Sequence, residues 1–403
     1  MVPLDAARSR VFASLPRLPA VFVAVADASG LILADDVVAA EYVPPFDNTA
    51  VDGFAVRAGD TTTVGSALRV IGTLAAGGRG DDAVGVGEAL RIMTGAPMPS
   101  GADAVVMVED SHVERGPMGE VVRFTRSVES GNAVRRAGSD VVAGSTVFVA
   151  GTVVNAPHVG VLASIGCHRV SVVRRVRVGV LSTGDELVDE DRPLERGEIR
   201  ESNRRMLLVM VRAAGCDAVD YGIVRDDEAL LESTLRAAAS DCDAIVTSGG
   251  VSMGDFDIVK SVLGRIASMD WMQIAIKPAK PFAFGTLGST PIFGLPGNPV
   301  SSMVSFEVLA RPGLRRMMGH HELADRIRLV ARAAEPLPRR PDGKLHLIRV
   351  FGAFAVDGRF EVRSTGEQGS HQLAATAAAN ALALLPDGDG VEAGDDVEVW
   401  LLL

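Results

Sequence analysis

Positive charge and aromatic rings are both scarce. In 403 residues, 40 Lys and Arg face 51 Asp and Glu, a formal net charge of −11, and Phe, Trp and Tyr make up only 4%. Nucleic-acid binders need a basic field and stacking surfaces, so the sequence argues against that class. Three cysteines, Cys167, Cys216 and Cys242, form no CxxC pair, which argues against a disulfide framework and a structural zinc site. No apolar run approaches the roughly 20 residues of a membrane helix. The expectation is a protein of the reducing cytoplasm with no membrane partner. The seven histidines lack HxxxH spacing and no G-x-S-x-G elbow occurs, so neither a transition-metal site nor a nucleophile triad is supported.

The 47% hydrophobic content excludes general disorder, and the length predicts two to four domains. Residues 4 to 15 look like a short amphipathic helix. From about 53 to 137 short β-type runs such as "LRIM" and "AVVMVED" alternate with Gly and Pro, predicting a small strand-rich module. A helix is expected after Pro157. From 176 onward apolar strands alternate with helical stretches: "VRVGVLST", "SNRRMLLVMVRAAG", "AVDYGIV", "DEALLESTLRAAAS", "DAIVTSGG", a helix over about 256 to 268, then "PFAFGT" and "PIFGL". This rhythm predicts a parallel sheet with helices on both faces, a three-layer α/β/α domain whose ligands bind at the carboxyl ends of its strands. The last 80 or so residues return to β-type runs, with "VDGR" as a hairpin turn, and predict a small barrel or sandwich.

Three strand ends carry glycine-rich loops. "VLSTGDELV" offers Ser182, Thr183 and Gly184 followed by Asp185 and Glu186. "VTSGGVSMGDFD" offers Ser248, Gly249 and Gly250 followed by Asp255 and Asp257. "FGLPGNPVSS" offers Pro296, Gly297, Asn298 and Pro299 at a helix start. Any one such loop could be a helix cap, but three on one sheet edge describe a site for a phosphate-rich ligand. The first loop is not the G-x-G-x-x-G dinucleotide fingerprint, so the expected ligand is a nucleotide or a phosphorylated pterin-like compound bound differently from NAD. Lys277 and Lys280 in "AIKPAKPFAFG" supply positive charge, and Arg225 and Asp226 follow another strand. In "VPPFDNTAVDGFAV", Asp47, Asn48 and Asp52 lie in a loop after Pro44 and Pro45, where turn-forming and functional roles both remain open. For Thr94, in "MTGAP", residue chemistry alone favours a tight connection.

Taken together, "PPFDNTAVDGFAV", "RIMTGAPMPSGADAVV", "VLSTGDELV", "SGGVSMGDFD", "IKPAKPFAFG" and "GLPGNPVSS" resemble the molybdopterin molybdenumtransferase family, the MoeA proteins and the C-terminal domain of gephyrin. The resemblance runs in order along essentially the whole chain. It implies a multidomain α/β plus β fold: an elongated N-terminal domain (1–45 and 138–174), a small β domain (46–137), a molybdopterin-binding α/β domain (175–320) and a C-terminal β-barrel (321–403). It implies insertion of molybdate into adenylylated molybdopterin with release of AMP, assisted by magnesium. It also implies a homodimer with an intersubunit active site, supplied by an upstream molybdopterin adenylyltransferase. Carried over by motif, Asp52, Thr94, Glu186 and Lys277 become catalytic. Glu186, Asp226 and Asp257 become metal ligands. Lys280, Ser370 and the strand-end loops, including Pro296 and Pro299, become substrate-binding, while Asp140, Arg349 and His371 align too. A diverged scaffold and a molybdopterin adenylyltransferase are the alternatives.

The chain departs from the family pattern at Thr49, Val51 and Phe54, which keep the acids and lose a tyrosine hydroxyl. The acid commonly found two residues before Asn203 is present as Glu201. Met272 and Gln273 stand near where some members carry a further lysine.

Overall fold

The computed structural model describes residues 1–117, 119–250, 258–321 and 324–402, so Asp255 and Asp257 lie outside the described residues. The chain forms two compact units. One comprises Met1–Val21, Gly30–Ile32 and Val172–Leu403, the other Phe22–Ser29 and Leu33–Ser171.

The second unit is built on a six-stranded sheet in the order Ala104–Met107, Gly53–Val56, Glu88–Ile92, Ala67–Leu74, Gly119–Phe124 and Ser111–Gly116. Its central strands are apolar on both faces. Phe54, Val56, Ala104 and Val106 pack into one core while the intervening Ala55 and Val105 pack into another, the period of two expected of a strand. Gly53 has a steric reason. A Cβ there would sit 2.0 Å from the Val106 carbonyl oxygen, so only glycine allows this strand to pair as it does. The helix expected after Pro157 starts one residue earlier, spans Ala156–Ser164 and is capped by Asn155, with the proline inside the first turn.

In the first unit a six-stranded sheet runs Asp217–Val224, Arg177–Thr183, Ala244–Ser248, Thr290–Leu295, Pro281–Leu287, Ser268–Gln273. The first four strands are parallel as predicted. Pro281–Leu287 runs antiparallel to both of its neighbours, and the edge strand Ser268–Gln273 is not legible in the sequence. The sheet is therefore mixed. The connection from Leu287 to Thr290 is a tight hairpin with Gly288 at φ +62°, too short for the crossover a parallel pair needs. Leu231, Leu235 and Ala238 of helix Glu228–Asp241 and Val259, Val262 and Leu263 of helix Ile258–Ile266 pack on Leu181, Ile245 and Ile292 of the sheet. Helix Asn203–Ala213 packs against two of the strands and against helix Pro299–Ser305.

Five strands near the carboxyl end close into a barrel: Leu345–Phe354, Phe360–Ser364, Arg328–Ala333, Asp396–Leu401, Ala381–Leu385, and back to Leu345–Phe354. The hairpin at "VDGR" pairs Phe354 with Phe360, as its alternation predicts. Strand Ile276–Lys277 adds to this barrel in parallel, pairing Lys277 with His346. Among the described residues no helix is long and apolar enough to cross a membrane.

Candidate active site

The four parallel strands end in register. Ser182 pairs with Ser248, Ser248 with Leu295, and Thr183 with Val224, so the loops that follow emerge side by side. A cavity of about 650 Å³ opens over them. It is lined by Ser182, Thr183, Gly184 and Glu186 from the first strand, Asp226 from the second, Ser248, Gly249 and Gly250 from the third, and Pro296, Gly297, Asn298 and Pro299 from the fourth. Two glycines have a reason to be there. Gly249 has φ +95°, and a Cβ would come within 3.0 Å of the Thr183 carbonyl and hydroxyl oxygens. At Gly184 (φ +141°) the Glu186 carboxylate fills the space a Cβ would occupy, 2.3 Å from it.

The start of helix Asn203–Ala213 ties these loops together. Asn203 Nδ2 donates to Ser248 Oγ at 2.9 Å and to the Gly297 carbonyl at 2.6 Å. Ser182 Oγ donates to the buried Glu201 at 2.9 Å. Arg204, also buried, pairs with Asp189 and Asp220. Sequence reasoning left Asn203 and Arg204 without a role, because polar residues at a helix start read as ordinary caps.

Lys277 and Lys280 line an adjoining hollow of about 330 Å³ that shares Pro281, Pro296 and Asn298 with the larger cavity. Neither lysine has an ion-pair partner among the described residues. Ser370 enters from the barrel, where its hydroxyl accepts from Asn298 Nδ2 at 3.1 Å and its carbonyl from the Val300 amide. Behind it the fully buried Arg349 donates to the carbonyls of Glu367, Gln368 and Gly369 at 3.1 to 3.2 Å. Burial pushes that guanidinium below its ordinary value. Lys344 and Gln368 also line the hollow, and the sequence offered no signal for either.

In the other unit, Asp52 Oδ1 accepts from both the amide and the hydroxyl of Thr94, each at 2.7 Å. The Thr94 amide first, its hydroxyl next and the Arg91 guanidinium to a smaller extent hold Asp52 below the ordinary carboxylate value. Thr94 is thus more than the tight connection that residue chemistry favours. Asp47 is a long-range tether, accepting from the Ala137 amide at 2.8 Å and pairing with Arg136. Asn48 pairs across a short ladder with Arg135. The backbone amide of Asp140 donates to the Val43 carbonyl, and His371 is exposed.

No cluster of three His, Cys, Asp or Glu able to hold a metal exists among the described residues. Glu186 and Asp226 nevertheless line one cavity. That pair suits a hard cation such as magnesium, which completes its shell with phosphate oxygens and water.

Comparison with known proteins covers the chain almost end to end. Residues 2–166 match the MoeA N-terminal region (domain I and II), 179–316 a probable molybdopterin binding domain, and 330–402 the MoeA C-terminal region (domain IV). A molybdopterin molybdenumtransferase of Haemophilus influenzae is 36% identical over 401 residues, covering 99% of this chain and 98% of the relative. Molybdopterin molybdenumtransferase 2 of Mycobacterium tuberculosis is 38% identical over 398 residues, 94% of each chain. A crystal structure of the molybdopterin biosynthesis moeA protein from Pyrococcus horikoshii superposes with a TM-score of 0.81 at 28% identity, covering 100% of both chains. The chain belongs to the molybdopterin molybdenumtransferase family.

Proposed function

We propose that this chain, a transferase of molybdenum cofactor biosynthesis by its family, inserts molybdenum from molybdate into adenylylated molybdopterin and releases AMP. The observation that carries this reading is the cavity at the aligned strand ends, where glycine-rich backbone, Glu186 and Asp226 converge. A ligand rich in phosphate needs donors and a counter-charge in a chain of net charge −11. The backbone at Gly250 and Gly297 would meet the first need, the Gly249 amide being taken by the Leu295 carbonyl, and a cation at Glu186 and Asp226 would meet the second.

Opening a phosphoanhydride with water demands positioning and charge stabilisation more than a protein nucleophile. Molybdopterin then keeps its phosphate and AMP leaves. A magnesium ion held by Glu186 and Asp226 would neutralise phosphate charge there. Lys277, Lys280 and Ser370 hold the oxyanion in the adjoining hollow. Asp52, ionised and anchored through Oδ1, keeps Oδ2 without a hydrogen-bond partner among the described residues, free to orient a water or accept a proton.

The reading extends to a homodimer in the cytoplasm, with the four-domain division given above and an adenylyltransferase upstream. In that dimer Asp52 and Thr94 of one copy act on ligand held by the other. The test is direct: purified protein with adenylylated molybdopterin, molybdate and magnesium should release AMP in step with active cofactor, and chelation should stop it. Absence of AMP sinks the reading. Mixing Asp52→Asn with Glu186→Gln protein should restore part of the activity each lacks alone, and failure to do so counts against the shared site.

A further inference from the structure

Glu201 is only 5% exposed, yet it stands in the wall of the cavity. Its Oε1 accepts from Ser182 Oγ at 2.9 Å and from the Arg204 amide at 2.7 Å. Its other oxygen, Oε2, hydrogen-bonds to nothing among the described residues and makes only a long ion pair of 3.8 Å with Arg204 Nε, which also lacks a hydrogen bond. The closer ion pairs of Arg204 are to Asp189 and Asp220. A buried acid with one oxygen lacking any hydrogen bond is an expensive way to stabilise a fold, since an apolar side chain of similar volume would avoid the desolvation cost. Such a group calls for another reason, and its contact with Ser182 supplies one. Ser182 is the penultimate residue of strand Arg177–Thr183, and Thr183, Gly184 and Glu186 follow it directly into the cavity. Among the described residues the hydroxyl of Ser182 links that stretch by a side chain to the helix start at 201–204, alongside the Ile199 amide that donates to the Glu186 carbonyl.

We infer that Glu201 is a positioning residue that acts through the Ser182 hydroxyl to hold the loop 182–186 in its ligand-binding shape. This deepens the proposed function and rests on it. Ser182 therefore serves the site as a tether rather than as a donor to phosphate, because its only proton is committed to Glu201. Glutamine at position 201 keeps an acceptor for that proton; leucine does not.

The experiment measures kcat and KM for adenylylated molybdopterin in Glu201→Leu, Glu201→Gln, Ser182→Ala and the double variant Glu201→Leu/Ser182→Ala. Glu201→Leu and Ser182→Ala should each raise KM about tenfold with kcat changed far less, the pattern of a displaced binding loop. Glu201→Gln should recover most of that loss. The double variant should be no worse than Glu201→Leu alone, since the link through Ser182 is already broken there. Ser182→Ala leaves Arg204 untouched, so it tests the link even where Glu201→Leu fails to fold. Effects that multiply in the double variant, a glutamine variant as impaired as leucine, or wild-type KM in Ser182→Ala each overturn the inference. Wild-type protein that turns over no substrate overturns the proposed function and this inference together, whereas normal wild-type turnover with multiplying effects overturns the inference alone.

Discussion

Asp52 and Thr94, 42 residues apart, form a paired unit in which one carboxylate oxygen accepts two hydrogen bonds of 2.7 Å. The strand register explains it: Gly53 lies opposite Ile92, which brings Asp52 to the turn after that strand.

Because Thr94 stabilises the ionised form, the Asp52 carboxyl titrates below its ordinary value of 3.8. A pH profile of kcat/KM should therefore show no loss from Asp52 at and above the ordinary carboxylate range, and an acid limb only beneath it. Thr94→Ala removes the hydroxyl but keeps the amide, so the limb should move upward. Asp52→Asn should lower AMP release by about 100-fold or more and leave dimerisation intact. An unmoved limb in Thr94→Ala would sever the pair from the chemistry.

The lysines of the smaller hollow are expected to act on the oxyanion. Lys277→Ala and Lys280→Ala should each raise KM for molybdate by about tenfold with little change in KM for adenylylated molybdopterin, and wild-type molybdate affinity should weaken with added salt. Equal shifts in both KM values would place the lysines elsewhere in the reaction.

Gly249→Ala forces a side chain into a left-handed backbone against Thr183. Urea denaturation should show a loss of about 1 to 3 kcal/mol, together with weaker substrate binding. A neutral alanine would mean that the loop relaxes freely.

Arg349→Ala empties a fully buried site and removes the guanidinium donor from the part-buried carbonyls of Glu367, Gln368 and Gly369 behind Ser370. The expected loss of stability is on the order of 2 kcal/mol, read by denaturation. Arg349→Lys should not rescue it, because a single ammonium cannot span carbonyls that a planar fork reaches.

Strand-end loops were legible because glycine, serine and proline after an apolar run have local meaning. Parallel register then carried Ser182, Ser248 and Pro296 to one edge. The mixed sheet was not legible, since Ser268–Gln273 ("SMDWMQ") shows no clean apolar alternation and owes its strand state to pairing with Pro281–Leu287. Lys344 was equally hidden. It reaches the hollow of Lys277 only because strand Ile276–Lys277 joins the barrel beside Leu345.

The order of motifs along the chain was enough by itself to determine the family, the α/β alternation and the residue types of the site, because those depend on local backbone preference and side-chain chemistry. Which of them meet was decided only by the tertiary structure. Asp47 and Asp52 look alike as acids five residues apart in one loop, and the fold sends one to brace Arg136 and Ala137 and the other to Thr94. Pairing across 42 residues, or between Asn298 and Ser370 across 72, is set by sheet register and barrel closure, which no short stretch of sequence contains.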